Sequence, residues 1–175
     1  MEIGAAFREL YTDPGFTADL REGWLGWLLD GRGPAGDPPV DLGDDVVELA
    51  VGPSTRLPPG RVDGRLRTVD AATADPAALP LPDGAASAVV ALFVLHHLPA
   101  AAQDAALAEW ARVLRPGGVL AGITPNNGPH FRRLDAERRC TPVDPLGLPA
   151  RLAEAGFAPR VRVWSLVAFT GTLAP

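Results

Sequence analysis

Ala74-Asp75-Pro76-Ala77-Ala78-Leu79-Pro80-Leu81-Pro82-Asp83-Gly84 opens the stretch that decides the fold. It runs on through Ala88-Val89-Val90-Ala91-Leu92-Phe93 and closes on Val94-Leu95-His96-His97-Leu98-Pro99. The middle run is continuously apolar, as expected of a strand covered on both faces, while prolines and Pro-Asp-Gly mark the turns that bound it. Ala101 to Leu114 then carries Leu107, Trp110, Val113 and Leu114 at helical spacing. Pro116-Gly117-Gly118 stops that helix, and Val119 to Ile123 reads as the next strand.

Working outward, Val46 to Ala50 is a short apolar strand behind the turn residues Gly43, Asp44 and Asp45, and Leu66 to Val69 is a weaker one. A short helix is expected between Gly147 and Gly156, then β segments at Arg160 to Trp164 and Val167 to Leu173, close enough to pair antiparallel. Thr17 to Asp30 predicts a helix capped by Thr17, with Leu20, Trp24, Trp27 and Leu28 on one face and Leu25 and Leu29 widening it. Gly31 to Pro39 is a loop or linker. The expected division is an N-terminal helical segment and linker over 1–39 and an α/β domain over 40–175, in which strands alternate with helices around a mainly parallel sheet.

The 175 residues carry a net charge of −5, and all 16 basic residues are arginine, so a broad nucleic-acid-binding face is not expected. The single cysteine, Cys140, excludes an internal disulfide. With His96, His97 and His130 scattered along the chain, it predicts no metal site. Met1-Glu2 opens without a basic segment and apolar run, so no secretory signal is expected, and the apolar stretch Ala85 to Leu95 is too short to span a bilayer. A cytoplasmic protein with no membrane association is the expectation. The 19 Gly, 19 Pro and abundant Ala read as coding bias of a GC-rich bacterium.

The order acid, Leu-Pro, apolar residue, Pro-Asp-Gly, strand and His-His-Leu, followed by Ala111-Arg112-Val113-Leu114-Arg115-Pro116-Gly117-Gly118 and later by Gly156-Phe157, resembles the class I S-adenosylmethionine (SAM) methyltransferases that act on small molecules. The resemblance covers about residues 40–175. It implies a Rossmann-like sheet, mostly parallel with an antiparallel C-terminal strand, and a SAM site built from Glu48, Ala50, Gly52 and Asp75. Asp75 would accept the adenine amine; its alternative is a turn residue before Pro76.

Three departures from the family stand out. In Glu48-Leu49-Ala50-Val51-Gly52-Pro53-Ser54, Ala50 and Ser54 replace two loop glycines and Pro53 stiffens the backbone between them. Pro58-Pro59-Gly60 forbids the helix that should follow. About one strand and two helices are therefore missing, among them the strand whose terminal acid grips the ribose. Asp70 is an alternative reading of that acid, but the Leu-Pro spacing puts its strand after the missing one. Finally, Ala86-Ser87 stands where Phe-Asp is usual.

Candidate catalytic residues are His96 and His130, since imidazole suits acid–base work near neutral pH; the His96-His97 pair also has a structural reading. Thr124, Asn126 and Asn127, leaving a strand's carboxyl end, are candidates for a substrate loop, or simply a turn. Arg132, Arg133, Arg138 and Arg139, interleaved with Asp135 and Glu137, suit an anionic substrate, a partner or a solvated helix face.

Three functions follow. The leading one is a methyltransferase-like protein with a degraded SAM site, a subunit or repurposed non-methylating enzyme in small-molecule, specialised-metabolite biosynthesis. It binds no SAM, or binds it weakly, and takes a protein partner or a second copy because the missing helices leave the sheet near Val46 to Ala50 uncovered. The others are a working SAM-dependent small-molecule methyltransferase and a non-catalytic binding or regulatory module.

Overall fold

The computed structural model describes residues 3–33, 36–52, 54–137 and 139–175. Expectations resting on Met1-Glu2, on Pro34-Ala35 of the linker, on Pro53 and on Arg138 lie outside the described residues.

Six strands form one sheet in the order β2-β1-β3-β4-β6-β5. They are β1 (Asp45–Ala50), β2 (Arg65–Asp70), β3 (Ala86–Leu92), β4 (Leu114–Pro125), β5 (Phe157–Val163) and β6 (Leu166–Leu173). The first four are mutually parallel; β6 runs antiparallel to both β4 and β5. β3 is buried along its whole length, as its apolar run requires. The motif stretch before it is held by helix α4 (Ala100–Val113): Trp110 Nε1 donates to Pro76 O at 3.0 Å, Arg112 Nη2 to Leu81 O at 2.9 Å, and Leu79 N donates to Glu109 Oε1 at 2.7 Å. The unusual Ser87 also has a structural task. Its hydroxyl donates to Leu42 O at 2.7 Å and accepts from Asp45 N at 2.9 Å, fixing the entry to β1.

After the short helix α5 (Pro129–Leu134) comes α6 (Leu148–Glu154), and one core lies between the sheet and α4 with α6, around Leu107, Trp110, Leu148, Leu152 and Phe169. The other lies under the N-terminal helices: α1 (Ala5–Thr12), α2 (Pro14–Asp19), a π-helical turn (Leu20–Trp24) and α3 (Leu25–Leu29). α1 carries no signal that the sequence reading used. The following helix starts at Pro14 rather than Thr17, because Asp13 is the cap, its Oδ1 accepting from Phe16 N at 2.7 Å. The π turn inserts one residue, so the inward face passes from Leu20 to Leu25 instead of to Trp24. Leu20, Leu25 and Leu29 are buried, whereas Trp24 and Trp27 are turned to the rim, half-buried, with Trp27 packed on Trp164 at a centroid distance of 5.3 Å.

Two expectations are corrected here. The sheet near Val46 to Ala50 is not bare: both residues are buried, and the N-terminal helices and Leu57 cover that face. β2 lies directly beside β1 in register Ala50 with Asp70, so it holds the place of the second strand rather than of a later one. The crossover over 51–64 contains no helix among the described residues, in agreement with Pro58-Pro59-Gly60. Leu25→Ala is expected to cost about 3 kcal/mol, as for a large apolar side chain deleted from a packed core. Urea denaturation should show a lower midpoint with unchanged slope; a change below about 1 kcal/mol would mean that these helices do not share the sheet's core.

Candidate functional site

The carboxyl ends of the parallel strands face one edge of the sheet, where open α/β sheets place their sites. At the end of β1, Glu48 is fully buried. Its two oxygens accept from Arg56 N at 2.6 Å and from Thr55 Oγ1 at 2.5 Å. Burial raises the carboxyl's pKa, opposed by these hydrogen bonds. The Arg56 side chain is folded inward: its guanidinium donates to Val51 O and to Thr17 Oγ1, both at 2.9 Å. Arg21 then clamps the same turn, donating to Thr55 O at 2.8 Å and Arg56 O at 3.0 Å. Gly52 needs its glycine, with φ at +99°; its N–H donates to Asp70 Oδ1 at 2.9 Å, and a Cβ there would stand 3.5 Å from the Arg56 guanidinium.

At the end of β3 the backbone turns sharply. Phe93, with φ at +58°, is the non-glycine residue in the left-handed region among those described, and the 3₁₀ turn Leu95–His97 follows. This turn buries both histidines. The Tyr11 hydroxyl from α1 sits between them, 3.1 Å from His96 Nε2 and 3.0 Å from His97 Nε2. Across the rings, Thr124 Oγ1 lies 3.3 Å from His96 Nδ1, and Cys140 Sγ lies 3.4 Å from His97 Nδ1. Desolvation pushes the His96 pKa well down and that of His97 down to about 4, so both imidazoles are neutral at pH 7. Burial also raises the Tyr11 phenol and moves the Cys140 thiol up to about 12.

Two cavities flank this turn. One, of about 510 Å³, is lined mainly by apolar side chains, among them Phe7, Phe16, Phe93 and Phe131, with Tyr11, Asn126 and His130 as polar points. The other, of about 600 Å³, is lined by Asp75, His97 and Arg139 among others.

Residues 40–122 match the methyltransferase domain family. No curated protein matches the chain in sequence. Among solved structures, a phosphoethanolamine N-methyltransferase 2 from Haemonchus contortus, in complex with SAM, superposes with a TM-score of 0.65 at 11% identity, over 97% of this chain and 56% of that one. A putative methyltransferase from Bacillus halodurans gives 0.54 at 13%, over 76% and 93%. A putative methyltransferase from Haloferax volcanii, solved with its Trm112 activator, gives 0.53 at 14%, over 78% and 85%. The chain has the fold of these methyltransferases, and its residues 40–122 match the methyltransferase domain in sequence.

Within this methyltransferase fold the predicted residues fall into three groups. His96 and Thr124 meet in the buried turn. Asn126 and His130 line the apolar cavity, and Asn126 Nδ2 also donates to Trp164 O at 2.9 Å. Asn127 is exposed and is not among that cavity's lining residues. Glu48, Ala50 and Gly52 sit together at the end of β1. Asp75 is exposed at the mouth of the second cavity, its Oδ1 accepting from Ala77 N at 2.9 Å, a turn bond. Tyr11 and Arg56 were not singled out in the sequence. A tyrosine in an unpredicted helix and an arginine in a Pro/Gly-rich loop carry no local pattern, so neither had a detectable signal.

His97 supplies a test. An unfolded imidazole near pH 6.5 binds protons that the folded one, at about 4, does not. Stability is therefore fully present above pH 6.5 and is lost as pH falls toward 4, by about 3 kcal/mol for this group alone. Denaturation of the EDTA-treated chain at pH 7 and pH 5 should show the weaker fold at pH 5, and His97→Gln should reduce that difference, leaving the share of His96.

Proposed function

We propose that this methyltransferase-fold chain no longer transfers methyl groups and works as a small-molecule-binding subunit or a repurposed enzyme in specialised-metabolite biosynthesis. The observation that carries the reading is the filling of the cofactor end of β1. A SAM site needs an accessible loop whose backbone comes close to the ligand. Here Ala50 is buried, the Glu48 carboxylate is spent on Thr55 and Arg56, and the Arg56 guanidinium lies against Gly52. These residues do not fit SAM.

The apolar cavity supports the small-molecule part of the reading. It is lined by α1, Phe16, Trp24 and the segment after β4, and its polar lining residues besides the buried Tyr11 are Asn126, His130 and Ser165, against a wall that is otherwise apolar. The Haloferax volcanii protein, solved with an activator, supports a protein partner by analogy of fold alone. A bare sheet face no longer argues for one.

A second reading, a working methyltransferase, is favoured by Asp70. It ends the strand beside β1, 18 residues beyond Gly52, the place and spacing at which dinucleotide-binding sheets hold their ribose acid. Calorimetric titration separates the two readings. With the glycine-loop end filled, SAM should bind with a Kd weaker than about 1 mM, less than about 4 kcal/mol of binding free energy. Micromolar binding that Asp70→Asn weakens at least tenfold would overturn the proposal in favour of methyl transfer.

A further inference from the structure

We propose that His96, His97 and Cys140 form a binding site for one zinc-class divalent cation, at the wall between the two cavities. One donor atom from each of the three residues can be chosen so that all lie within 4.8 Å of one another. The pair His97 Nδ1 and Cys140 Sγ, 3.4 Å apart, already has the separation of two ligands of a tetrahedral zinc, about 3.5 Å for Zn–N near 2.0–2.1 Å and Zn–S near 2.3 Å. Sequence spacing hides the site, because Cys140 reaches it only through the fold. Thr141 N donates to His96 O at 2.8 Å, and Asp135 Oδ1 accepts from Cys140 N at 3.2 Å, which together hold the thiol over the ring.

The surroundings match the chemistry that metal-bound imidazoles need. A ligating histidine is a neutral ring whose second nitrogen is engaged by an oxygen. Burial keeps both rings neutral, and the Tyr11 hydroxyl takes up His97 Nε2 when His97 Nδ1 faces the ion. For His96, Tyr11 and Thr124 offer an oxygen to either nitrogen. Two imidazoles and one thiolate suit zinc rather than calcium or magnesium. Cys140 is protonated in the empty site, so cation binding releases one proton from its thiol, the charge of the ion supplying what burial withholds. Three protein ligands leave a fourth position for water or an exchangeable ligand. The cavity lined by Asp75, His97 and Arg139 gives the path by which an ion enters.

The inference is independent of the SAM reading, and its test uses a different ligand. The full-length chain, stripped with EDTA, is titrated with zinc chloride by calorimetry and with cobalt chloride by absorption spectroscopy. We expect one zinc per chain with micromolar or tighter affinity and a thiolate-to-cobalt charge-transfer band in the near ultraviolet. Cys140→Ser, a near-isosteric change at a half-buried position, should lose the band and weaken zinc at least tenfold. Tyr11→Phe should weaken zinc about ten- to a hundredfold while leaving the band in place. No zinc uptake at micromolar concentration would overturn the proposal, as would uptake that Cys140→Ser leaves unchanged or a cobalt complex without the band.

Discussion

A carboxylate buried in the middle of a sheet must be given donors, and the way Glu48 is supplied organises one side of this molecule. The crossover over 51–64 contains Pro58-Pro59-Gly60 and cannot become a helix, so its first part is free to curl back over the end of β1. Thr55 and Arg56 then reach the carboxylate. Arg56, drawn inward, needs acceptors of its own, and finds one in its own loop, at Val51, and another on α2, at Thr17. Arg21, one turn further along that helix run, closes the arrangement on the carbonyls of Thr55 and Arg56. The N-terminal helices are thereby tied to the sheet by charge-assisted hydrogen bonds as well as by their leucines. The loop after β1 is a joint between two parts of the fold.

The other half of the carboxyl edge keeps its openings. The turn at Phe93 spends an unfavourable backbone conformation to swing the chain from a buried strand into a pair of buried histidines. Those rings are polar groups inside an aromatic shell of Phe7, Tyr11 and Phe131, and each nitrogen has a partner. A network with every member satisfied is rigid, and it gives the two cavities a fixed common wall. The molecule thus has a hydrogen-bonded region over β1 and two cavities beside the ends of β3 and β4.

Much of the fold was legible in the sequence because it rests on local signals. The uninterrupted run at Ala88 to Leu92, the amphipathic helix and the alternation in Arg160 to Val163 each state their structure within about a dozen residues, although the helix stops at Val113 and Pro116-Gly117-Gly118, read as its stop, lies within β4. What was illegible rests on contacts between distant segments. The inward face of the Trp24 helix turned on one extra residue in a π turn, which no 3.6-residue pattern encodes. Asp70 was misplaced because motif spacing numbers strands along the chain, whereas pairing decides their order in space. Among the candidate residues, Glu48 and His96 were singled out from position relative to strands, but their partners Arg56 and Tyr11 come from regions with no motif. The grouping of Cys140 with the histidines is purely a product of the tertiary structure.

The tyrosine that joins the two histidines lies in α1, far upstream of the segment 40–122 that defines the methyltransferase domain by likeness. Domain boundaries drawn from family likeness therefore cut through this buried polar cluster. A fragment trimmed to the recognisable domain would expose Phe93 and Leu92 and leave two imidazole nitrogens facing a void in place of a hydroxyl. The unit of inheritance here is larger than the unit of recognition: any recombination that moves the sheet into another protein must carry the first helix with it, or supply another group that can stand between those rings.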